Sequence, residues 1–271
     1  MTKIATIARN PINSPNMTAN DAAIIESIAK ELVACEAEVL PMGENNDIPD
    51  GTQVICSMSR TAGTIERLKE AEQQGIAVLN TPASVENCSR RRFMEILHCN
   101  AIPQPLFKVL DSPDGLMDNC YPCWIKKADG WSCHHDDVCF AQNRKEAVSA
   151  IGQMAERGIK EYIQMSHTPG DIIKFYGVGN DFFHFGYPEN SKFGKEEING
   201  APKHYSFDNE TLRNIAQKAA RAVGLEIFGG DAIVTPQGEI FIIDINDFPS
   251  FTAIRSEAAR AIAEHIMTKT R

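Results

Sequence analysis

Acidic and amide side chains interrupt an apolar run near the carboxyl end of the chain. In FIIDINDFPSF, three apolar residues are followed by Asp244, Asn246 and Asp247. Burying such groups without partners costs several kcal/mol. A partner that neutralises them is therefore expected.

The flanking sequence predicts where these side chains point. The tetrapeptide PQGE is a turn signal between two apolar runs. If it forms the loop of a hairpin, Thr235 pairs with Ile240 and Asp231 lies opposite Asp244. Opposed residues share a face of a sheet, and so do residues two apart on one strand. We therefore expect Asp231, Asp244 and Asn246 to project together.

This arrangement favours a metal site. Two carboxylates held close together repel each other unless a cation lies between them. Carboxylate and amide oxygens suit Mg²⁺, which completes its coordination with water and substrate phosphates when the protein supplies few ligands. The alternative is a solvated hairpin end, where the acids need no partner, and the apolar flanks favour the metal.

Cations in apolar segments predict an anion nearby. Lys126 lies in the apolar strand PCWIKK and Lys174 in IIKFYGVG, where a lysine is costly unless it meets a negative charge. Arg90, Arg91 and Arg92 begin a helix, where the helix dipole disfavours cations. A bound anion would explain them, although an exposed polar face is equally expected for two of the three.

Composition limits the function classes. The chain has 271 residues and a net charge of -9, which argues against a nucleic-acid surface because no basic field is present to displace counterions. No run reaches the roughly 18 apolar residues of a membrane helix, and the start has no long apolar signal region. We expect a cytoplasmic protein without a membrane partner.

The cysteines leave a second metal interpretation open. Cys120 and Cys123 form a C-x-x-C, and Cys133, His134 and His135 follow, a set that could hold zinc. The favoured interpretation is that cysteines in apolar segments, such as Cys123 in PCWIK, are small buried hydrophobes.

The order of predicted elements indicates an α/β protein with α+β character in its C-terminal part. The first ~90 residues alternate strands and helices. No G-x-G-x-x-G follows the first strand, so a dinucleotide site lacks its main signature. Later segments predict two antiparallel hairpins, and the polar stretch ENSKFGKEEINGAPKH is predicted to be a mobile loop.

Taken in order, these residues resemble the ATP-grasp superfamily over roughly residues 85 to 250. The shared pattern is a basic helix start, P-x-x-x-K, a Gly/Ser loop, E-Y-I, a strand with a cation, and G-x-D and D-x-N across a hairpin. EYIQ with IIKFYGVG is similar to ribosomal-protein glutamate ligases. FGGDAIVT with IIDINDFPSF is similar to inositol-trisphosphate kinases, whose metal ligands are also Asp, Asp and Asn.

The resemblance implies an ATP-grasp fold preceded by a Rossmann-like pre-ATP-grasp domain. The N-terminal domain would span residues 1–88. The ATP-grasp small subdomain, with a phosphate-covering loop, would span 89–170. The C-terminal subdomain, with the metal site, would span 171–271.

It also implies roles for particular residues. Asp231, Asp244 and Asn246 would bind one or two Mg²⁺ ions, with Mn²⁺ as an alternative ion. Lys174 would face the γ-phosphate of ATP as a catalytic cation. The other implied ATP contacts are Arg90 and Lys126 at the phosphates, Ser132 in the covering loop, Glu161, Tyr162 and Ile163 at the adenine, partly through backbone groups, and Asp171 near the ribose.

Three departures from the family pattern concern catalysis. The covering loop carries Trp131 and two histidines where many members have glycines, and Ser250 stands where a glycine often follows the proline. The arginine that ligases use to stabilise the tetrahedral intermediate has no clear match. Arg255 is our candidate for that catalytic role, with Lys192 and Lys195 as alternatives.

The residues and the resemblance leave three candidate functions. The leading one is a Mg²⁺-requiring, ATP-dependent carboxylate–amine ligase that acts through an acyl phosphate on a small molecule or peptide, with small carboxylate and amine substrates. The second is a small-molecule, inositol-phosphate-like kinase, with Arg60, Lys192, Lys195 and Lys203 as a basic pocket, although exposed loop cations are usually only solvated. The third is a non-catalytic ATP-binding module. The resemblance also leaves room for a homo-oligomer.

Overall fold

Three four-stranded sheets organise the chain. The structure, a computed structural model, describes residues 1–131, 134–188 and 198–270. The described strands are β1 Lys3–Ile7, β2 Glu38–Met42, β3 Val54–Ser57, β4 Ala77–Leu79, β5 Phe107–Leu110, β6 Cys123–Lys127, β7 Val138–Ala141, β8 Tyr162–Ser166, β9 Asp171–Val178, β10 Phe182–Gly186, β11 Ile227–Val234 and β12 Ile240–Asp247. The helices that we use below are α1 Thr18–Ala34, α2 Ala62–Gln73, α3 Pro82–Asn87, α4 Arg90–Cys99, α5 Arg144–Glu156, α6 Asn209–Val223 and α7 Arg255–Thr268.

The N-terminal sheet has the strand order β2-β1-β3-β4, and its strands are parallel. This confirms the alternating strands and helices predicted for this part. The helix α2 ends, as predicted, before Gly75, which adopts a φ of 88°. Glycine reaches this left-handed conformation without the steric cost that other residues meet. Successive strands are added on opposite sides of the β1–β3 pair, so a crevice forms at the carboxyl ends of β1 and β3.

The other two sheets are antiparallel. The small sheet has the order β5-β8-β6-β7 and the C-terminal sheet the order β10-β9-β11-β12. Each sheet lies within one of the three predicted ranges, while the boundaries at 88/89 and 170/171 remain predictions. The two predicted hairpins, β9–β10 and β11–β12, are confirmed.

Shared hydrophobic clusters join these layers. One cluster contains Ile28 of α1 together with Ile262 of α7, because the last helix packs on the N-terminal layer. Another contains Trp124 and Ile163 of the small sheet together with Phe228 of the C-terminal sheet. None of the described helices is long and apolar enough to cross a membrane.

Candidate functional site

Three neighbouring strands each place one ionisable side chain in a row. Lys174 of β9 pairs in register with Asp231 of β11, which pairs in register with Asp244 of β12. Paired residues share a face of the sheet, so we call these three residues the charged row. Lys174 Nζ lies 3.0 Å from Asp231 Oδ1. The charge of Asp231 raises the pKa of Lys174, against the opposing effect of burial.

The predicted opposition of Asp231 and Asp244 is confirmed, although the turn differs from the prediction. Val234, and not Thr235, pairs with Ile240. The predicted pairing is wrong because the loop is one residue shorter than assumed. Thr235 N–H donates to the carbonyl oxygen of Glu239 over 2.9 Å, so three residues, not four, form the loop.

A β-bulge in β12 restores the register. The ladder pairs Ala232 with Ile242 and then Asp231 with Asp244, so that Ile243 has no pairing residue in it. A bulge adds one residue to one strand and redirects the side chains that follow. The extra residue at Ile243 therefore brings Asp244 opposite Asp231 despite the shifted turn.

The side-chain oxygen atoms of Asp231, Asp244 and Asn246 fit a hard divalent cation. Asp244 and Asn246 are two apart on β12, hence on one face, and both are half-buried. Within the described ranges neither side chain makes a hydrogen bond or an ion pair, so both are available as ligands. Asp231 is buried beside them and shared with Lys174. This donor set, two carboxylates and an amide without sulfur or imidazole, is one that Mg²⁺ accepts.

An apolar cleft lies between the small sheet and the C-terminal sheet. The space between its walls measures about 300 Å³, part of which is open to solvent. Its lining includes Trp124, Lys126 and Met165 from the small sheet and Ile172, Ile233 and the bulge residue Ile243 from the C-terminal sheet.

The cleft leads into the charged row along one sheet face. Ile172 and Lys174 are two residues apart on β9, as are Ile233 and Asp231 on β11. Residues two apart point the same way and are separated by about 7 Å. An apolar surface for a flat ring is therefore followed by a cation, two carboxylates and an amide.

Lys126 and Arg90 bring further cations to this region, and their contact with the phosphates of ATP stays a prediction. Lys126 is 2% exposed, with Nζ 3.5 Å from Met165 Sδ. Arg90 begins α4, is 9% exposed and donates from Nη1 to the carbonyl oxygen of Lys127. Burial lowers the pKa of Arg90, and the charge of Asp244 opposes this effect, which places the guanidinium within electrostatic reach of the row.

The other two arginines of the cluster have the exposed role that was expected for two of the three. Arg91 pairs with Glu95 and Glu161, and Arg92 lies 4.0 Å from Glu86. All of these partners lie on the surface or half-buried. The anion interpretation is thereby restricted to Arg90.

Ser132, predicted to cover the phosphates, lies outside the described residues, as do Lys192 and Lys195 and most of the predicted mobile loop. Trp131, which directly precedes Ser132, is half-buried. His134 and His135 are exposed and contact Asp136.

The residues predicted to line the adenine occupy different environments. Tyr162 faces away from the cleft, in the cluster between the small sheet and α5, and its hydroxyl donates to the carbonyl oxygen of Ile159. Its side chain therefore does not line the cleft, and its contact with the adenine stays a prediction. The Glu161 side chain pairs with Arg91 at the surface, and Ile163 is buried in the core between the two sheets.

The cleft instead uses the residues that follow. Met165, Ser166 and Thr168 line it, at the end of β8 and just beyond. Trp124 Nε1 donates to His167 Nδ1 over 3.2 Å, which fixes this segment to β6. The signal in the sequence was the end of the apolar run YIQM, where a strand gives way to a loop.

Asp171 binds backbone groups of a neighbouring loop. Its two carboxylate oxygens accept the backbone N–H groups of Lys203 and Tyr205, at 2.8 and 2.9 Å. Because Ile172 faces the cleft, its neighbour Asp171 points to the opposite face of β9. This geometry argues against the ribose contact, which stays a prediction.

Arg255 lies at the start of α7 and reaches α1, where its Nη2 donates to Asn20 Oδ1 over 3.0 Å. The described contacts do not connect it to the charged row, so its catalytic role remains a prediction. Lys203 is exposed, with its Nζ 6.0 Å from the centre of the Tyr205 ring.

Arg60 and Arg9 form a buried cluster with Asp247 that the sequence reasoning missed. Arg60 Nη2 lies 2.6 Å and Arg9 Nη2 3.4 Å from the Asp247 carboxylate, and all three side chains are less than a tenth exposed. The expectation that Arg60 is an exposed, solvated loop cation is wrong. The available signal was that both arginines come just after parallel strands, β1 and β3, whose carboxyl ends meet at the crevice.

Burial explains the cysteines of the C-x-x-C. Cys120 and Cys123 are buried in the cluster beneath α5, and burial raises the pKa of Cys123 to about 11. The part of the chain that the structure describes contains no group of three or more His, Cys, Asp or Glu side chains arranged for a metal, and Cys133 is outside it. The preference for buried hydrophobes is confirmed for Cys123, whereas Cys35, in another apolar segment, is exposed.

No family model and no curated protein matches the sequence. Solved structures match over nearly the whole chain. A D-alanine–D-alanine ligase from Bacillus anthracis complexed with ATP has a TM-score of 0.74 and 12% identity, covering 100% of this chain and 97% of the other. An ATP-grasp RimK domain protein from Sphaerobacter thermophilus has a TM-score of 0.71 and 14% identity, with 98% and 100% covered. The ATP-grasp ligase PsnB, complexed with a minimal precursor, has a TM-score of 0.68 and 14% identity, with both chains fully covered. At these identities the likeness shows the fold: the chain has the α/β ATP-grasp fold that its motifs predict.

Proposed function

We propose that the chain is an ATP-dependent carboxylate–amine ligase. The observation that carries the proposal is the continuity between the apolar cleft and the charged row of Lys174, Asp231 and Asp244. This order suits a molecule with a flat apolar ring at one end and phosphates at the other. A structure of the same fold is complexed with ATP, which supports ATP as that molecule.

The adenine would lie against Ile172, Ile233 and Ile243. The phosphates would lie over the charged row, with Arg90 and Lys126 as further cations. Such groups, held in position before the reaction, stabilise charge on the transferred phosphoryl group more effectively than water does.

Asp231, Asp244 and Asn246 would hold one or two Mg²⁺ ions, or Mn²⁺ in their place. A bound Mg²⁺ supplies charge neutralisation and orientation of the phosphates. Lys174, already beside Asp231, would hold its ammonium group towards the γ-phosphate.

The proposed reaction has two steps. A substrate carboxylate oxygen bonds to the γ-phosphorus while the bond to the ADP oxygen breaks, which gives an acyl phosphate and ADP. The nitrogen of an amine then bonds to the acyl carbon, phosphate leaves, and the amine gives up one proton. Neither step needs a protein nucleophile, and the chain's cations stabilise the negative charge that moves in both.

The kinase alternative retains the Asp, Asp and Asn set in its favour. However, a phosphorylated substrate needs uncompensated cations, and Arg60 is neutralised by Asp247. Lys203, the other proposed pocket cation in the described ranges, is exposed on a loop. This observation favours the ligase. A non-catalytic ATP-binding module has less need of Asp244 and Asn246 as free oxygen ligands.

The partners of this proposal are a small carboxylate and an amine, with no nucleic acid and no membrane. Ligases of the same fold include one described as joining D-alanine and D-serine, from Enterococcus faecalis. A cytoplasmic location and a homo-oligomer remain predictions.

The test is ADP release with Mg-ATP and pools of amino acids, small acids and inositol phosphates, with hydroxylamine present. A ligase yields a hydroxamate, because hydroxylamine traps the acyl phosphate. A phosphate ester without hydroxamate would establish the kinase instead. Tight Mg-ATP binding without turnover in any pool would favour the binding module.

A further inference from the structure

Arg60 contacts two separate parts of the candidate site with its guanidinium group. Its Nε and Nη2 atoms face Asp247 at the end of β12, at 2.9 and 2.6 Å from Oδ1. Its Cζ atom lies over the indole ring of Trp131, 4.9 Å from the ring centre. The arginine belongs to neither part, since it follows β3 of the N-terminal sheet.

Asp247 connects this contact to the proposed metal ligands. It follows Asn246 directly and is 1% exposed. Neighbouring residues of a strand point to opposite faces, so Asn246 faces the site while Asp247 faces the N-terminal arginines. Whatever fixes Asp247 also fixes the backbone that carries Asn246.

The turn after Asp247 needs contacts from other parts of the chain to hold its conformation. Phe248 and Phe251 have φ values of 42° and 47°, a left-handed conformation that is unfavourable for bulky residues. Arg9 Nη2 donates to the carbonyl oxygens of Asp247 and Phe248, at 3.2 and 2.9 Å, and Arg60 Nη2 also donates to that of Asp247. The two arginines therefore hold this turn in place.

Trp131 connects the same arginine to the segment between β6 and β7. This segment follows Lys126, the buried cation of the cleft. Within the described residues, the buried Nε1 of Trp131 has no hydrogen-bond acceptor. The cation–π contact with Arg60 is therefore the polar contact that the described residues provide for this ring.

We propose that Arg60 is a positioning residue that couples the Trp131 segment to the strand end bearing Asp244 and Asn246. A guanidinium can bind a carboxylate through its edge and stack on an aromatic ring through its face at the same time, whereas an ammonium offers only a point charge. Order in one segment then favours order in the other. The consequence for nucleotide binding rests on the proposed function, but the coupling itself does not.

The coupling is tested by amide hydrogen exchange of the full chain without nucleotide. Trp131→Ala is expected to speed exchange in its own segment and also at residues 245–248, to which the described polar contacts connect Trp131 through Arg60. The expected increase at 245–248 is about 2- to 30-fold, the range of a cation–π contact. Unchanged exchange at 245–248 would overturn the proposal.

Four further variants complete this experiment. Arg60→Lys keeps the positive charge beside Asp247 and should speed exchange in both segments. Combined with Trp131→Ala, it should add little beyond the larger single effect, because both remove one contact. If the fold-changes in exchange rate multiplied in the double variant, the two residues would act independently and the coupling would be overturned. Trp131→Phe keeps the aromatic face and should retain protection. Arg144→Lys, whose partner Asp118 is exposed, is the matched control without effect.

Affinities for Mg-ATP and for adenosine separate this inference from the proposed function. Arg60→Lys and Trp131→Ala should each raise the Kd for Mg-ATP about 2- to 30-fold and leave the Kd for adenosine unchanged. Equal losses for both ligands would indicate general damage and contradict a positioning role. If the unmodified chain binds no Mg-ATP, the proposed function fails, and the exchange experiment alone decides the coupling.

Discussion

Lys174 and Asp231 form an ion pair across neighbouring strands, with 3.0 Å between Nζ and Oδ1, and Asp231 faces Asp244 in turn. One carboxylate is thereby shared between a lysine and the proposed metal. In the proposed site, the lysine and a divalent cation would compete for Asp231 when phosphates are absent. With ATP bound, the same lysine would turn to the phosphates and release the carboxylate.

Replacing Lys174 should therefore affect the metal and the nucleotide in opposite directions. Lys174→Met is expected to strengthen binding of Mn²⁺ alone by about 3- to 10-fold, because a partly exposed competing charge is removed. It should lower turnover with Mg-ATP by about 100-fold, since a cation at the phosphates is lost. Mn²⁺ titration followed by electron paramagnetic resonance, together with an ADP-release assay, measures both.

The control is Lys69→Met, which removes a lysine paired with Glu66 and Glu86 on the N-terminal helices. Both quantities should stay unchanged in it. A Lys174→Met variant that loses Mn²⁺ affinity would contradict the shared-carboxylate interpretation.

Asp244 should be essential for turnover. Asp244→Asn keeps the shape of the side chain and removes its charge, so we expect turnover to fall by at least about 100-fold. The unfolding temperature should not fall, because Asp244 and Asp231 repel each other across the pair. Asp118→Asn, at an exposed carboxylate, is the matched control for the assay and for thermal unfolding. Full turnover in Asp244→Asn would leave the row without a catalytic role.

Lys126 should contribute to nucleotide binding. Lys126→Met keeps the approximate length of the side chain and removes its charge. The Kd for Mg-ATP should rise by about 10- to 100-fold, as for the loss of a charged hydrogen bond. Calorimetric titration measures the affinity, and Lys108→Met, at an exposed lysine bonded to a backbone carbonyl, is the control. Equal affinities in the two variants would place the phosphates away from Lys126.

Asp171 should act on the fold alone. Asp171→Asn weakens the acceptor of two backbone N–H groups, and we expect a loss of about 1–3 kcal/mol in the free energy of unfolding. Discrimination between ATP and its 2′-deoxy analogue should be unchanged, because the carboxylate points away from the cleft. A selective loss of this discrimination would restore the ribose contact that the geometry argues against.

The pair of His167 and Trp124 should make the cleft sensitive to acid. Burial lowers the pKa of His167, and Nδ1 must be unprotonated to accept the indole N–H. For a histidine whose folded pKa lies below its unfolded value of about 6.5, the neutral form stabilises the fold above pH 6.5. This contribution is lost as the pH falls below 6.5 and through the folded pKa. In His167→Asn, whose amide oxygen accepts without titrating, this part of the pH dependence of chemical unfolding should disappear. An unchanged profile would assign the pH dependence to other groups.

The sequence predicted the strands and helices well where periodicity and turn residues agree, as for α6 and the β11–β12 hairpin. It also predicted that Asp231 faces Asp244, although the assumed turn was wrong. The bulge at Ile243 compensated for that error, and no local pattern marks it, because Ile242 and Ile243 are both apolar. A bulge depends on how two strands pair, and the spacing of residues along one strand does not show that pairing.

Contacts between residues far apart in the sequence were the main feature that the sequence did not predict. Arg60 lies 187 positions from Asp247, and its place just after β3 puts it at the crevice without identifying Asp247 as its partner. Tyr162 and Asp171 were assigned by resemblance, and strand alternation turned both away from the cleft. The residue type at a motif position is visible in a sequence, whereas the face on which it lies follows from the register of the sheet.

A crystal structure of the chain with Mg²⁺ and a non-hydrolysable ATP analogue would test the proposed site as a whole. We predict a metal about 2.1 Å from oxygens of Asp231, Asp244 and Asn246. The adenine should lie against Ile172 and Ile233, and Lys174 should have moved from Asp231 to the γ-phosphate. A nucleotide bound elsewhere, or a metal held without Asp244, would contradict the account.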